Sequence, residues 1–310
     1  ISLNPNGNAL VIDGDHLEGD GITDQDRAEF KSFKKKTNNL ARFFRSTYQT
    51  SPPRIRTDNT KDLLGLMQTG WNLRTMGNQG MTDMLRFIAI NVFDLLEEYL
   101  KNDFVKGSLA IDAVLGNHLG PRTNNSVITY LHSLTGEIDG VQGAYAIPKG
   151  GMSSYTDALK NSAEKLGVRI VLDSHVEQII VDGNGKASGV KFAKGNTVDA
   201  DVVVSGIDPK STFMCLVGAR YLEAGFVHKI NNVRMRGNAS KLHLALSGLP
   251  SFDGVDEKDI GQRIVISPTM QYLEQAFDYT KYQHCSDQLP MEITIPSIHD
   301  SSLAPEGHHV

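Results

Sequence analysis

Gly150-Gly151, just ahead of a helical pattern, and Ser205-Gly206-Ile207-Asp208-Pro209, just after an apolar run, are the places in this chain where backbone can come close to a ligand. Glycine leaves room for that approach, and proline ends a strand abruptly. Side chains able to do bond-breaking chemistry by themselves are scarce. The histidines, including His118, His132, His243 and the pair His308-His309, show no H-E-x-x-H or similar ligand spacing. Cys215 and Cys285 lack metal or redox spacing. Asp13, Asp15, Glu18 and Asp20 form an acidic loop without the glycine and terminal glutamate of a calcium loop, so no metal is expected. No serine or cysteine nucleophile is identifiable, and the catalytic residues stay unassigned. Chemistry in such a chain is expected to come from a bound cofactor, with the protein supplying shape, orientation and exclusion of water.

The elements that must position those glycines are readable between residues 141 and 210. Met152, Tyr155, Leu159, Ala163 and Leu166 recur at helical steps after Ser153 or Ser154, either of which can cap the helix, and Gly167 supplies a left-handed end. Val168 to Leu172 reads as a strand and Val176 to Val181 as another; Gly183-Asn184-Gly185 turns the chain back through Val190 and Phe192. Lys194-Gly195-Asn196 makes a second turn. Val202-Val203-Val204 carries no polar residue, which predicts a strand covered on both faces. A strand end followed by a sharp turn is where open α/β sheets bind ligands.

Outside that segment the first 140 residues are expected to be mostly helical, over 24–48, 62–76, 82–99, 103–115 and 126–134, after a short strand at 9–12. Beyond Pro209 the pattern is mixed: helices at 211–217 and 269–279, strands at 241–246, 263–266 and 291–295. The helix from Asp24 interleaves Arg27, Lys31, Lys34, Lys35, Lys36, Arg42 and Arg45 with Phe30, Phe33, Leu40, Phe43 and Phe44. That arrangement suits either a solvated face on a core helix or peripheral contact with an anionic membrane. Net charge is −5, which argues against broad nucleic-acid binding. Charged residues are 22% and apolar residues 40% of the 310, ordinary for a folded chain long enough for two domains. The cysteine usage points to a reduced, cytoplasmic setting. Apolar runs are far shorter than the ~20 residues of a membrane-spanning helix.

The succession Pro148-Lys149-Gly150-Gly151-Met152, helix, strand, hairpin, Asp201-Val202-Val203-Val204 and Asp208-Pro209 resembles the middle of the phytoene-dehydrogenase-like flavoproteins. These are a branch of the flavin-containing amine oxidase superfamily, and the likeness is strongest to the group called pyridine nucleotide-disulfide oxidoreductase domain-containing protein 2. Residues 109–116, Tyr130-Leu131-His132 and Gly140-Val141-Gln142-Gly143-Ala144-Tyr145 fit the same group, so the likeness spans roughly residues 100 to 215. It implies an α/β fold of α+β character: a partial FAD/NAD(P)-binding Rossmann-like domain, with residues 141–210 as its central part, plus a mixed sheet-and-helix substrate domain from 1–140 and 211–310.

The resemblance also implies a cofactor and a substrate class. FAD would be bound by the backbone of Val176, by the turn Ser205, Gly206 and Ile207, and by Gly150 and Gly151. Tyr145, Lys149, Met152 and Ser154 would line a cavity for an apolar small molecule, isoprenoid or lipid-like, that undergoes desaturation or a related redox step. Met67, Met76, Met81 and Met84 suit such a cavity or a Met-rich core equally. Tyr145 stands where relatives often carry tryptophan. Family members open on a Gly-x-Gly-x-x-Gly turn that closes on the pyrophosphate, and this chain has none; Gly183 to Gly189 lacks the third glycine and reads as a hairpin turn. The expectation is therefore a fragment, lacking both family termini and holding an incomplete FAD site. An amine-oxidising flavoenzyme, or a non-catalytic lipid-binding or scaffold module, are the competing readings.

Overall fold

The sheet that carries the first functional groups begins at the first residues and is completed almost three hundred residues later. In the computed structural model, which describes residues 1–48, 51–54 and 58–310, the elements run β1 (Ser2–Leu3), β2 (Ala9–Asp13), β3 (His16–Gly19), α1 (Asp24–Tyr48), α2 (Thr60–Thr75), α3 (Gly77–Ala89), α4 (Val92–Tyr99), α5 (Asp103–Val114), α6 (Ser126–Ser133), β4 (Glu137–Ile138), β5 (Val141–Gln142) and α7 (Gly151–Lys165). They continue with β6 (Val176–Val181), β7 (Ala187–Phe192), β8 (Thr197–Asp199), a π-helical turn at Ser211–Gly218, α8 (Ala224–Asn231), β9 (Ile264–Ile266), α9 (Met270–Lys281) and β10 (Met291–Ile293). The class is α/β. Two units separate: residues 1–155 with 237–310, and residues 156–236.

The larger unit pairs a mixed five-stranded sheet, ordered β10-β9-β1-β2-β3, with helices. β1 runs parallel to β9 and antiparallel to β2. Its core is aromatic at the centre: Phe33 of α1 stacks on Tyr130 of α6 at 6.0 Å and meets Tyr99 at 5.8 Å, while Phe30, Phe87, Leu95, Leu96 and Ile111 close around them. The expected helix at 24–48 forms because Thr23 and Asp26 cap each other reciprocally, Thr23 N–H to Asp26 Oδ2 at 2.9 Å and Asp26 N–H to Thr23 Oγ1 at 3.2 Å. Its apolar residues Phe30, Phe33 and Leu40 face the core, which leaves Lys31, Lys35 and Arg42 outside. No helix among the described residues is long and apolar enough to cross a membrane.

Four local expectations need correction. The single helix expected over 82–99 is two, because Ile90 and Asn91 turn extended and Asn91 accepts from Asp94 N–H at 2.8 Å, starting α4 afresh. The apolar stripe runs on across the break, so periodicity alone missed it. The expected strand at 241–246 is reduced to one bridge between Leu246 and His309. Val168–Leu172 and Val202–Val204 are not strands: no ladder partner meets them among the described residues, and they are largely exposed, Leu172 at 75% and Val204 at 89%. The helix expected at 211–217 does form, over Ser211–Gly218, with π-helical winding.

In the smaller unit β6, β7 and β8 form an antiparallel meander, as the two glycine turns predict. The helical residues ahead of it end as anticipated, with Gly167 left-handed and Val168 N–H reaching back to Ala163 O at 3.1 Å.

Two substitutions test the packing of the larger unit. At Gly107 in α5 an added Cβ would lie 2.6 Å from Ser267 O and Thr269 N, backbone atoms that cannot swing aside. Helix propensity favours alanine there by about 1 kcal/mol, but overpacking of this kind costs roughly 1–3 kcal/mol, so Gly107→Ala should destabilise in urea unfolding; an unchanged or raised midpoint would show that α5 and the segment before α9 are not in contact. Asn102→Ala removes the acceptor for Phe104 and Val105 N–H, at 3.0 and 3.2 Å, and should cost about 1 kcal/mol in the same measurement.

Candidate functional site

The glycine doublet is built by a clasp that the sequence did not reveal. Gly150 and Gly151 both have positive φ, +85° and +72°, and Gly151 N–H closes a turn onto Pro148 O at 2.9 Å. Only glycine holds two such residues in succession without strain. Gly150 N–H donates to Asp300 Oδ2 at 2.5 Å, and the other carboxylate oxygen accepts from Ser302 N–H at 3.0 Å and Ser302 Oγ at 2.7 Å. Ser154 Oγ donates to Gly151 O at 2.8 Å, and a Cβ on Gly151 would press on Leu303 at 3.0 Å. The Ser302 hydroxyl first, then the Gly150 and Ser302 N–H groups, hold Asp300 below the ordinary carboxylate range, with Lys149 adding to the effect. Asp300 was missed because one aspartate ahead of two serines signals only a local turn. Met152 lies 68% exposed on α7.

Tyr145 sits apart from this clasp, in an open cleft of about 410 Å³ within the same unit. The cleft is organised by Arg263, just ahead of β9. Its Nη2 meets Asp112 Oδ1 of α5 at 2.7 Å and Glu292 Oε2 of β10 at 2.5 Å, and its Nε donates to the same Glu292 oxygen at 2.6 Å. Burial opposes the guanidinium charge, but the two carboxylates prevail and Arg263 is held above its ordinary value. The Tyr145 ring lies 6.0 Å from the guanidinium carbon. Partial desolvation, then the charge of Asp112, raise its phenol above the usual range. From α6, His132 joins the lining with Nδ1 hydrogen-bonded to Tyr48 Oη at 3.1 Å. Lys34, outside the lining, is lowered by burial while Asp112 and Asp15 pull the other way.

The remaining expected residues belong to the smaller unit. Val176 opens β6 opposite Phe192, half-buried, and β6 packs on the turn Ser211–Gly218. Ser205 is tied to that turn by a 2.7 Å hydrogen bond between its Oγ and Thr212 Oγ1. Asp208 caps it, accepting from Ser211 N–H at 2.8 Å, and the Ser211 contacts lower its carboxyl. Gly206 is exposed and a Cβ there would meet nothing within 4 Å, so its backbone face is open; Ile207 beside it is exposed as well. The expected residues thus fall into three groups: Lys149, Gly150, Gly151, Met152 and Ser154 about the clasp, Tyr145 in the cleft, and Val176 with Ser205, Gly206 and Ile207 around one turn. Gly206 thus offers open, bare backbone within the smaller unit, and the glycine turn at 150–151 is held by side chains within the larger one.

Comparison with known proteins shows which family the chain belongs to. The family described as flavin containing amine oxidoreductase matches residues 78–283. A pyridine nucleotide-disulfide oxidoreductase domain-containing protein 2 from Rattus norvegicus is 30% identical over 245 residues, covering 76% of this chain and 42% of that protein, and the protein of the same name from Mus musculus matches to the same extent. A phytoene desaturase (neurosporene-forming) from Rhodobacter capsulatus is 25% identical over 182 residues, covering 58% of this chain and 33% of its own. The chain spans less than half the length of these curated relatives. With the match to the family extending through both units, from α3 to beyond α9, this chain belongs to the flavin containing amine oxidoreductases.

Proposed function

We propose that the chain is part of an FAD-dependent oxidoreductase that acts on an apolar, isoprenoid or lipid-like compound by desaturation or a related redox step. The observation that carries this reading is the pair of left-handed glycines clamped by Asp300, found in a chain of a flavin family that also matches a phytoene desaturase. Bound FAD would supply the electron acceptor for a substrate C–H bond. The residues present would then position and shield. Gly150 and Gly151 offer backbone to the flavin; Lys149, Met152, Ser154 and Tyr145 stand on the substrate side, Tyr145 as an aromatic wall. With FAD bound, the main chain of Val176 would pair with the adenine edge, and Ser205, Gly206 and Ile207 would approach the ADP half. Residues 141–210 serve the cofactor, and 1–140 with 211–310 the substrate, in a cytoplasmic setting with peripheral membrane contact through α1.

The main test is the flavin content of the full-length gene product, read from its visible absorbance and by mass spectrometry together with any co-purified lipid. FAD with an apolar lipid is the expected result. Protein that is colourless and refuses added FAD would sink the oxidoreductase reading in favour of a binding module, and FAD with turnover of amines alone would move it to the amine-oxidising class.

A second test concerns the clasp. The ionised form of Asp300 is favoured by folding, so its contribution to stability is present above roughly pH 4 and is lost as pH falls through its lowered pKa. Asp300→Ala should therefore flatten the acid limb of the stability curve and weaken FAD retention roughly tenfold, the scale of losing a charge-assisted hydrogen bond. An acid limb and flavin affinity that both match the parent would remove Asp300 from the site.

A further inference from the structure

Besides the apolar surface of Tyr145 and Leu115, the cleft around Arg263 presents a set of unspent polar atoms that an apolar hydrocarbon would leave unmatched. Arg263 uses Nε and Nη2 on its two carboxylates, which leaves both hydrogens of Nη1 as donors without a partner among the described residues. Asp112 engages only Oδ1 and Glu292 only Oε2, so one oxygen of each remains an acceptor without a partner among the described residues. Asn117 directs its Nδ2 to Leu115 O at 3.3 Å and keeps its Oδ1 as an acceptor. His132 has spent Nδ1 on Tyr48 and retains Nε2, and the Tyr145 hydroxyl can both give and accept.

This mixture discriminates among ligands. An ammonium brings donors only and would leave the Nη1 hydrogens of Arg263 unmatched; a carboxylate or phosphate brings acceptors only and would leave the open oxygens of Asp112 and Glu292 unmatched. A hydroxyl group both gives and accepts. Several on one compact framework would satisfy the set without placing a new charge in the cleft. Tyr145, 73% exposed at the rim, presents a ring face on which the C–H side of such a framework can lie. At about 410 Å³ the cleft falls within the range of small-molecule sites and admits a ring of sugar or cyclitol size.

We propose that this cleft is a binding site for a neutral polyhydroxylated ligand, a monosaccharide or cyclitol group, with Asp112, Glu292 and Asn117 accepting from its hydroxyls, Arg263 giving to them, and Tyr145 stacking on its face. The site goes beyond the oxidoreductase reading and stands or falls without it, because no flavin is needed to test it.

The experiment is saturation-transfer NMR on the full-length gene product with myo-inositol and D-glucose, against n-butylammonium and acetate as charged controls, followed by calorimetric titration of whichever polyol binds. Binding of at least one polyol, with neither control competing, is expected. Tyr145→Ala, a change at an exposed rim position, should weaken it about tenfold, the scale of one aromatic stacking contact. Glu292→Gln, which keeps the shape and removes one charged acceptor, should weaken it several-fold, with circular dichroism verifying the fold. Absence of polyol binding overturns the proposal. So does preferential binding of n-butylammonium or acetate, or a polyol affinity indifferent to both substitutions.

Discussion

Arg263 answers to two carboxylates from elements far apart in the chain, Asp112 of α5 and Glu292 of β10, and the larger unit is organised around that arrangement. A largely buried guanidinium is costly to leave unpaired, while two short contacts offset the loss of its hydration. The helix and the sheet edge are thus held at the separation that satisfies both carboxylates at once. The cleft with Tyr145 depends on that separation, since the charged cluster and α6 both contribute to its lining. Close packing supports the same geometry nearby, where Gly107 lets α5 approach the backbone of Ser267 and Thr269 and Ser267 Oγ donates to Gly107 O at 2.8 Å.

A second constraint acts on backbone instead of charge. Two consecutive left-handed glycines are free to move in an unfolded chain and are expensive to hold still. Here one carboxylate from a distant segment fixes the first of them and Ser154 fixes the carbonyl of the second. The result is a turn whose conformation is set by tertiary contact, and it leads into α7 at Gly151.

The smaller unit shows the limit of hydropathy as a guide to burial. Val168–Leu172 and Val202–Val204 are as apolar as covered strands, and both lie exposed. A run of valines states that burial would be favourable and says nothing about which partner supplies the ladder hydrogen bonds. The meander β6 to β8 formed where it was expected because each strand's partner lies next to it in sequence, across a glycine turn.

What the chain determined by itself was local. The Thr23 start of α1, the Gly167 end of α7, the hairpin at Gly183-Asn184-Gly185 and the family resemblance carried by residues 100 to 215 all rest on residues within a few positions of one another. Tertiary structure decided the rest. It broke the helix expected over 82–99 at Asn91, left two apolar runs unpaired, brought Asp300 to Gly150 across 150 residues, and gathered Asp112, Arg263 and Glu292 around Tyr145. The reason is physical: a cap or a turn is satisfied by its own neighbours, whereas an ion cluster or a clasp depends on which distant groups the packed core brings within hydrogen-bonding distance, and no spacing along the chain encodes that.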